Sequence, residues 1–343
     1  MIIKTNFILS AVLLLTFSLF ISCDVKPDKA EAPVKIIFDT DFGGDADDLG
    51  ALAMLLNFHN RGECELLAVM VWNTEKYSVS AVDATIRYYG NPEIAVATRS
   101  RETHLNEWNH SKPIANAFPH ELNHDNAPLA VYLYRKILSE QPDQSVIIVT
   151  TGPLANIKNL IQSGPDQYSP LTGKELIEKK VKEFSIMGGQ FPSGDNEWNF
   201  NGYMPGVTKF VLENLTVPIV FSGYEIGTQI RTGPRLVEAG KDSPLYVGYK
   251  HFSQYAPWMK QNYREGQINP NATFDQTSVL YTVRGGICEY WDVVENGICV
   301  ADSTGGNYWK EINDRPTNHA YLVLKKDPDE MAEIIYSFML DDF

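Results

Sequence analysis

Cysteine is scarce in this chain, and so is positive charge. Four Cys in 343 residues are too few for a disulfide scaffold, and no Cys-x-x-Cys or His-x-x-x-His spacing is expected to form a zinc site. Lys and Arg number 29 against 43 Asp and Glu, a formal net charge of −14. Phosphate neutralisation needs a basic face that this balance does not supply, which argues against a nucleic-acid partner. The composition lacks the Gly and Pro excess of collagen and the apolar poverty of disorder. Its 24 Gly, 19 Pro and 44% apolar residues belong to a globular protein. One long apolar run exists, Phe7 to Ile21, and it falls short of the roughly 20 residues that span a bilayer as a helix.

That run has the layout of a secretory signal peptide over residues 1–22, with one early cation, Lys4, and a small residue before Cys23. Phe20-Ile-Ser-Cys23 resembles a bacterial lipobox, so Cys23 is expected to carry lipid and to be the chain's only membrane contact. The expected location is an exported, membrane-anchored lipoprotein facing the periplasm or the cell surface. Residues 23–33, polar and Pro-bearing, read as a tether, and 34–343 as a single α/β domain. The remaining Cys64, Cys288 and Cys299 allow at most one bridge, with Cys288–Cys299 as a candidate.

From residue 34 apolar runs of strand length alternate with amphipathic stretches of helical length. Strands are expected at 35–39, 66–72, 94–97, 145–150, 183–187 and 218–222. Helices are expected at 47–58, 79–89, 127–140, 154–162, 206–213 and 245–255. This rhythm implies βαβ units on an open, mostly parallel, Rossmann-like sheet with helices on both faces. Residues 99–126 and 256–274, polar and aromatic with weak periodicity, are candidate active-site loops. No internal repeat and no interior linker marks a second domain.

The sharpest feature lies between the first strand and the first helix: Asp39-Thr-Asp41-Phe-Gly43-Gly44-Asp45-Ala-Asp47-Asp48. Five carboxylates in ten residues repel one another unless a cation or helix-end amides offset them. Gly43-Gly44 permits the turn that would fold several onto one ion. Oxygen-only ligands favour Ca²⁺ or Mg²⁺ over zinc. An EF-hand is excluded by the Asp spacing and by Gly50 at the twelfth position, where a Glu ligand belongs.

With this loop, four further motifs follow in order at expected strand ends: Trp72-Asn73, Thr150-Thr-Gly-Pro-Leu-Ala-Asn156, Met187-Gly-Gly189 and Glu197-Trp-Asn199. Together they resemble the inosine–uridine-preferring nucleoside hydrolase family over roughly residues 34 to 285, with two extra residues in the Asp loop. The resemblance implies a nucleoside hydrolase fold and hydrolysis of a ribonucleoside's N-glycosidic bond to free base and ribose by water on Ca²⁺. It implies Asp41, Asp48, Asp275 and the Thr151 carbonyl as metal ligands. Asn73, Met187, Glu197 and Asn199 would bind the sugar, and Asp47 would be the general base, with Asp45 its rival because of the longer loop. Partners would be a small nucleoside and, through unplaced Tyr and Trp residues, a second copy of the chain.

One departure stands out. Family members carry a His before the late metal-binding Asp, whereas Thr273-Phe-Asp275 places Phe274 there. Phe delivers no proton, so a leaving-group acid would come from His120, His124, Tyr255 or Tyr263, or would not be needed. Trp198 and Phe200 would line a base pocket or pack the core. Two other classes compete: a lipid-anchored nucleoside- or sugar-binding protein with little turnover, and a haloacid-dehalogenase-type phosphatase with Asp39 as nucleophile.

Overall fold

A computed structural model describes residues 32–341. The signal peptide, Cys23 and all but the last two tether residues therefore lie outside the described residues. Twelve strands run β1 (Val34–Thr40), β2 (Cys64–Val71), β3 (Ala95–Thr98), β4 (Val146–Thr151), β5 (Val181–Met187) and β6 (Ser193–Gly194), then β7 (Ile219–Ser222), β8 (Arg231–Thr232), β9 (Asn271–Ala272), β10 (Trp291–Ala301), β11 (Asn307–Glu311) and β12 (His319–Leu324). Ten of them form one sheet in the order β3-β2-β1-β4-β5-β7-β12-β10-β11-β6, while β8 and β9 pair separately. From β3 to β12 every neighbouring pair is parallel; β10, β11 and β6 extend the edge antiparallel.

The parallel strands are apolar on both faces because helices cover both. Ile36 and Phe38 of β1 point into one core and Ile37 into the other. In β4, Ile147 and Val149 join the first core, Val146 and Ile148 the second. This explains why these strands read as continuous apolar runs rather than alternating ones. Strand order reverses at β1: the chain runs outward through β2 and β3, then returns to place β4 on the other flank of β1. Such a switch point leaves a crevice outside the carboxyl ends of the two central strands. The Asp-rich loop leaves β1 there, and Thr150-Thr151 ends β4 beside it.

Several elements lie outside the sequence expectation: the helices Gly173–Lys180, Asp275–Arg284 and Pro328–Leu340, and the strands β10 to β12. The first is set by a capping box between Thr172 and Glu175. The proposed Cys288–Cys299 bridge does not form. Cys299 is a buried free thiol, directed from β10 into the second core. Among the described residues no helix is long and apolar enough to cross a membrane.

Candidate active site

Two helix starts converge on the crevice. After Asp41 the chain turns at Gly43, whose φ of +113° suits only glycine and whose missing side chain leaves room for Ser111 and Asn109. The turn feeds the helix Asp47–Asn60, with Asp47 and Asp48 in its first turn. From the other side, β9 delivers Phe274 and then the helix Asp275–Arg284, which begins at Asp275. The two helices pack closely because residue 50 is Gly: a Cβ there would collide with the Gln276 amide and lie 2.6 Å from the Tyr249 hydroxyl. As a result, carboxylate oxygens of Asp47, Asp48 and Asp275 all lie within 4.8 Å of one another, and all three residues are buried. Phe274 and Asp275 donate their backbone N–H groups to Asp47 Oδ2 at 3.2 and 3.3 Å. Thr40 Oγ1 donates to Asp48. The positive ends of two helices thus face the same carboxylates.

Partial charges of helix ends do not balance this cluster. Burial is the first cause that pushes each of the three carboxyls well above its ordinary pKa, and neighbouring carboxylates push in the same direction. No Lys or Arg is among the leading influences on any of them. A divalent cation with hard oxygen ligands fits this donor set, which offers only oxygen. The triad differs from the set implied by the resemblance, since Asp47 stands in it and Asp41 adjoins it. Asp41 Oδ2 instead accepts the Trp198 indole N–H at 2.7 Å. Its pKa is raised to about 6, chiefly by burial and against the pull of that hydrogen bond. Behind Asp41, Gly152 lets the end of β4 approach: a Cβ there would lie 2.8 Å from the Asp41 amide nitrogen. Thr151, buried on this approach, opens onto the same cleft.

The inosine-uridine preferring nucleoside hydrolase profile matches residues 36–333. The chain belongs to that family. It is a nucleoside hydrolase, acting on N-glycosidic bonds in a metal-dependent family. No curated protein matches it by sequence. Solved structures share its fold at low identity. A plant nucleoside hydrolase superposes with TM-score 0.65 at 18% identity over 90% of this chain and 99% of its own. An inosine-uridine preferring nucleoside hydrolase from Bacillus anthracis gives 0.62 at 18%, over 90% and 99%. The type III effector XopQ, complexed with adenosine diphosphate ribose, gives 0.62 at 13%, over 92% and 94%.

In this nucleoside hydrolase a cleft of about 920 Å³ opens above the triad, and every residue expected at the site lines it: Asp41, Asp45, Asp47, Asp48, Asn73, Thr151, Met187, Glu197, Asn199 and Asp275. Their side chains are not equally free. Asn73 donates to the carbonyls of Asp41 and Phe42 at 3.0 and 3.3 Å and accepts from the Glu75 amide at 3.0 Å, so it clamps the Asp loop. Glu197 accepts three backbone N–H groups, from Gly189, Asn199 and Phe200, at 2.8 to 3.1 Å. Burial nevertheless raises its pKa to about 7. Asn199 donates to the Met187 carbonyl at 3.1 Å. Asp45 is held by the Ala46 amide and by Asn271, both at 2.5 Å. Trp198 lines the cleft, whereas Phe200 packs in the core.

Three expectations are corrected. None of His120, His124, Tyr255 and Tyr263 lines the cleft. His120 is exposed, and His124 is buried on Thr98 and the Glu75 carbonyl at 2.8 Å each; Tyr263 is tied to Gln254 at 2.9 Å. Asp39 is no nucleophile: it lies beneath the cleft, accepting from Tyr134 Oη at 2.8 Å and Asn156 Nδ2 at 3.1 Å. One His-x-x-x-His spacing is in fact present, His120-Glu-Leu-Asn-His124. On a helix it would put both imidazoles on one face, but residues 120–124 are not helical. The cleft residues that sequence reasoning left unnamed come largely from the two loops it flagged: Arg99, His104, Asn106, Trp108 and Asn109 from one, Trp258 from the other. Tyr203 and Tyr224 line the rim together with Thr74, Gln190, Asn196 and Gly202, without any motif to announce them.

Proposed function

We propose that the chain hydrolyses ribonucleosides, or a related N-riboside, to free base and ribose in a Ca²⁺-dependent reaction. The observation that carries this reading is the buried Asp47–Asp48–Asp275 triad, built from two helix starts at the switch point of the sheet. Ca²⁺ is favoured over Mg²⁺ because carboxylates from different elements plus a carbonyl make an irregular oxygen set, which the larger ion accommodates better. Asp47, Asp48, Asp275 and the Thr151 carbonyl would hold it. Lewis-acid activation of water and anchoring of the ribose diol are the chemistry such a cation supplies when bound.

The geometry favours exchanging the roles that the resemblance implies for Asp41 and Asp47. Asp47 Oδ2 takes two backbone amides beside Asp275, whereas Asp41 Oδ2 takes the Trp198 indole and its carboxyl also meets Asp48. A base works best with a pKa near the operating pH, and about 6 suits neutral conditions. Asp41 therefore takes the proton of the attacking water. Glu197 lies along the same cleft wall, where an anion favours positive charge developing on the sugar.

A panel of nucleosides assayed with and without EDTA tests this reading. Free base and ribose, lost with chelator, are expected; calorimetric binding without product would instead support the binding-protein reading. Asp41→Asn should lower kcat by about 10²-fold or more while keeping Ca²⁺ affinity, and Asp47→Asn should lose affinity. The reverse pattern would restore Asp47 as base. Export and lipid anchoring at Cys23 rest on the sequence alone, and loss of membrane-fraction protein in Cys23→Ala is the expected check.

A further inference from the structure

The walls of this cleft above the triad are aromatic rather than acidic. Phe274 sits beside the carboxylates, its N–H on Asp47, and its ring stacks on Tyr224 at 5.3 Å between centroids and 20° between planes. Trp108 and Trp258 form a second pair, edge to face at 5.0 Å, and Trp198 and Tyr203 a third at 5.3 Å. All six rings line the cleft. Trp198, Tyr224 and Trp258 are 46, 41 and 53% exposed, so they present faces to a ligand rather than to the core. Six carboxylates share the lining with one cation, Arg99. That arginine is held on the Trp72 carbonyl at 2.7 Å with its guanidinium 4.5 Å from the ring centre.

Ring faces and surplus carboxylates together attract a delocalised organic cation. We propose, building on the N-ribohydrolase reading above, that the site selects ribosides of a positively charged heterocycle over neutral nucleosides. The chemistry agrees with the hydrocarbon ring at position 274. In a neutral nucleoside the departing nitrogen takes the electron pair of the broken C1′–N bond and needs a proton. In a cationic N-riboside the same pair neutralises the ring, which leaves unprotonated. Water forms the new C1′–O bond and gives its proton to the enzyme's base. No leaving-group acid enters the balance.

The test uses the full hydrolase with Ca²⁺. Nicotinamide riboside and 7-methylguanosine, at a mildly acidic pH where both are cationic, are compared with inosine and uridine. A kcat/KM advantage of about 10²-fold or more for the cations is expected, the size of a missing acid's contribution. Because cationic ribosides are intrinsically more reactive, inhibition by 1-methylnicotinamide and by nicotinamide isolates the effect of charge, and the cation should inhibit about tenfold more tightly. Phe274→His should raise inosine turnover by roughly tenfold or more, since it restores an acid. Equal inhibition by the two nicotinamides, or inosine or uridine matching the cations in kcat/KM, would overturn the cation preference while leaving the hydrolase reading standing. If no riboside of either kind is cleaved, the hydrolase reading itself falls.

Discussion

Replacing Asp275 with Asn should make the metal-free protein more stable at neutral pH while destroying the metal site. Two unit charges within the 4.8 Å that bounds the triad repel by about 3 kcal/mol or more at an effective dielectric constant of about 20. Three such pairs sum to roughly 10 kcal/mol, comparable with the ~5–15 kcal/mol stability of a whole domain. Without a cation, the folded protein therefore keeps protons on these groups at a pH where the unfolded chain has released them. All three folded pKa values are raised, first by burial and then by neighbouring carboxylates. The sign follows: stability is greatest below the unfolded pKa, near 4, and falls as pH rises toward the folded values. Each retained proton costs about 1.4 kcal/mol per pH unit. Asp275→Asn removes one titrating group, so its stability in EDTA should fall less steeply, by up to about 1.4 kcal/mol per pH unit wherever the wild type retains that proton. Denaturant unfolding in EDTA across this range measures it. Saturating Ca²⁺ should reverse the order, since a ligand at 1,000 times its Kd adds about 4.1 kcal/mol to the wild type alone. Identical slopes for the two proteins in EDTA would refute the picture of an electrostatically strained triad.

Other changes test the parts that assemble the site. Gly50→Ala forces a Cβ against the Gln276 amide and should separate the two helix starts, lowering Ca²⁺ affinity at least about tenfold with far-UV circular dichroism unchanged; unaltered calorimetric affinity would contradict it. Trp198→Phe removes the donor that holds down the Asp41 pKa, so the acid limb of kcat/KM should move upward from about 6, as a pH–rate profile would record. Glu197→Gln replaces one of two accepting oxygens with a donor where three amides converge. It should cost about 1–3 kcal/mol in urea unfolding and raise KM.

The sheet was legible because parallel strands buried on both faces read as unbroken apolar runs, as in Lys35-Ile-Ile-Phe-Asp39 and Val146-Ile-Ile-Val149. The edge was not. β10 contributes Trp291-Asp-Val-Val-Glu-Asn, half exposed and antiparallel, and its pairing with β12 and β11 is decided by partners distant in sequence. The helix Asp275–Arg284 has only three aliphatic residues, Val279, Leu280 and Val283, yet it is largely buried because Gly50 lets it lie against the first helix. Periodicity carries no record of that approach.

The candidate site divides along the same line. Its carboxylates were visible because crowding five of them into one loop needs a reason, and a strand end supplies one. The division of labour among them was hidden, since Asp41 is held by the indole of Trp198, 157 residues away. The residues that would choose a substrate were hidden more deeply. Trp108, Trp258, Tyr203 and Tyr224 follow no period and no motif; they become a wall only when loops 99–126 and 256–274 and the segments after β6 and β7 meet at the cleft. A ring in a loop gives no local hint of whether it packs the core or faces a ligand. Exposure alone separates Trp198 from Phe200, two residues apart in one short helix: most of the carboxylates sit in one loop where their crowding shows, whereas substrate choice is set by side chains that meet only in the folded cleft.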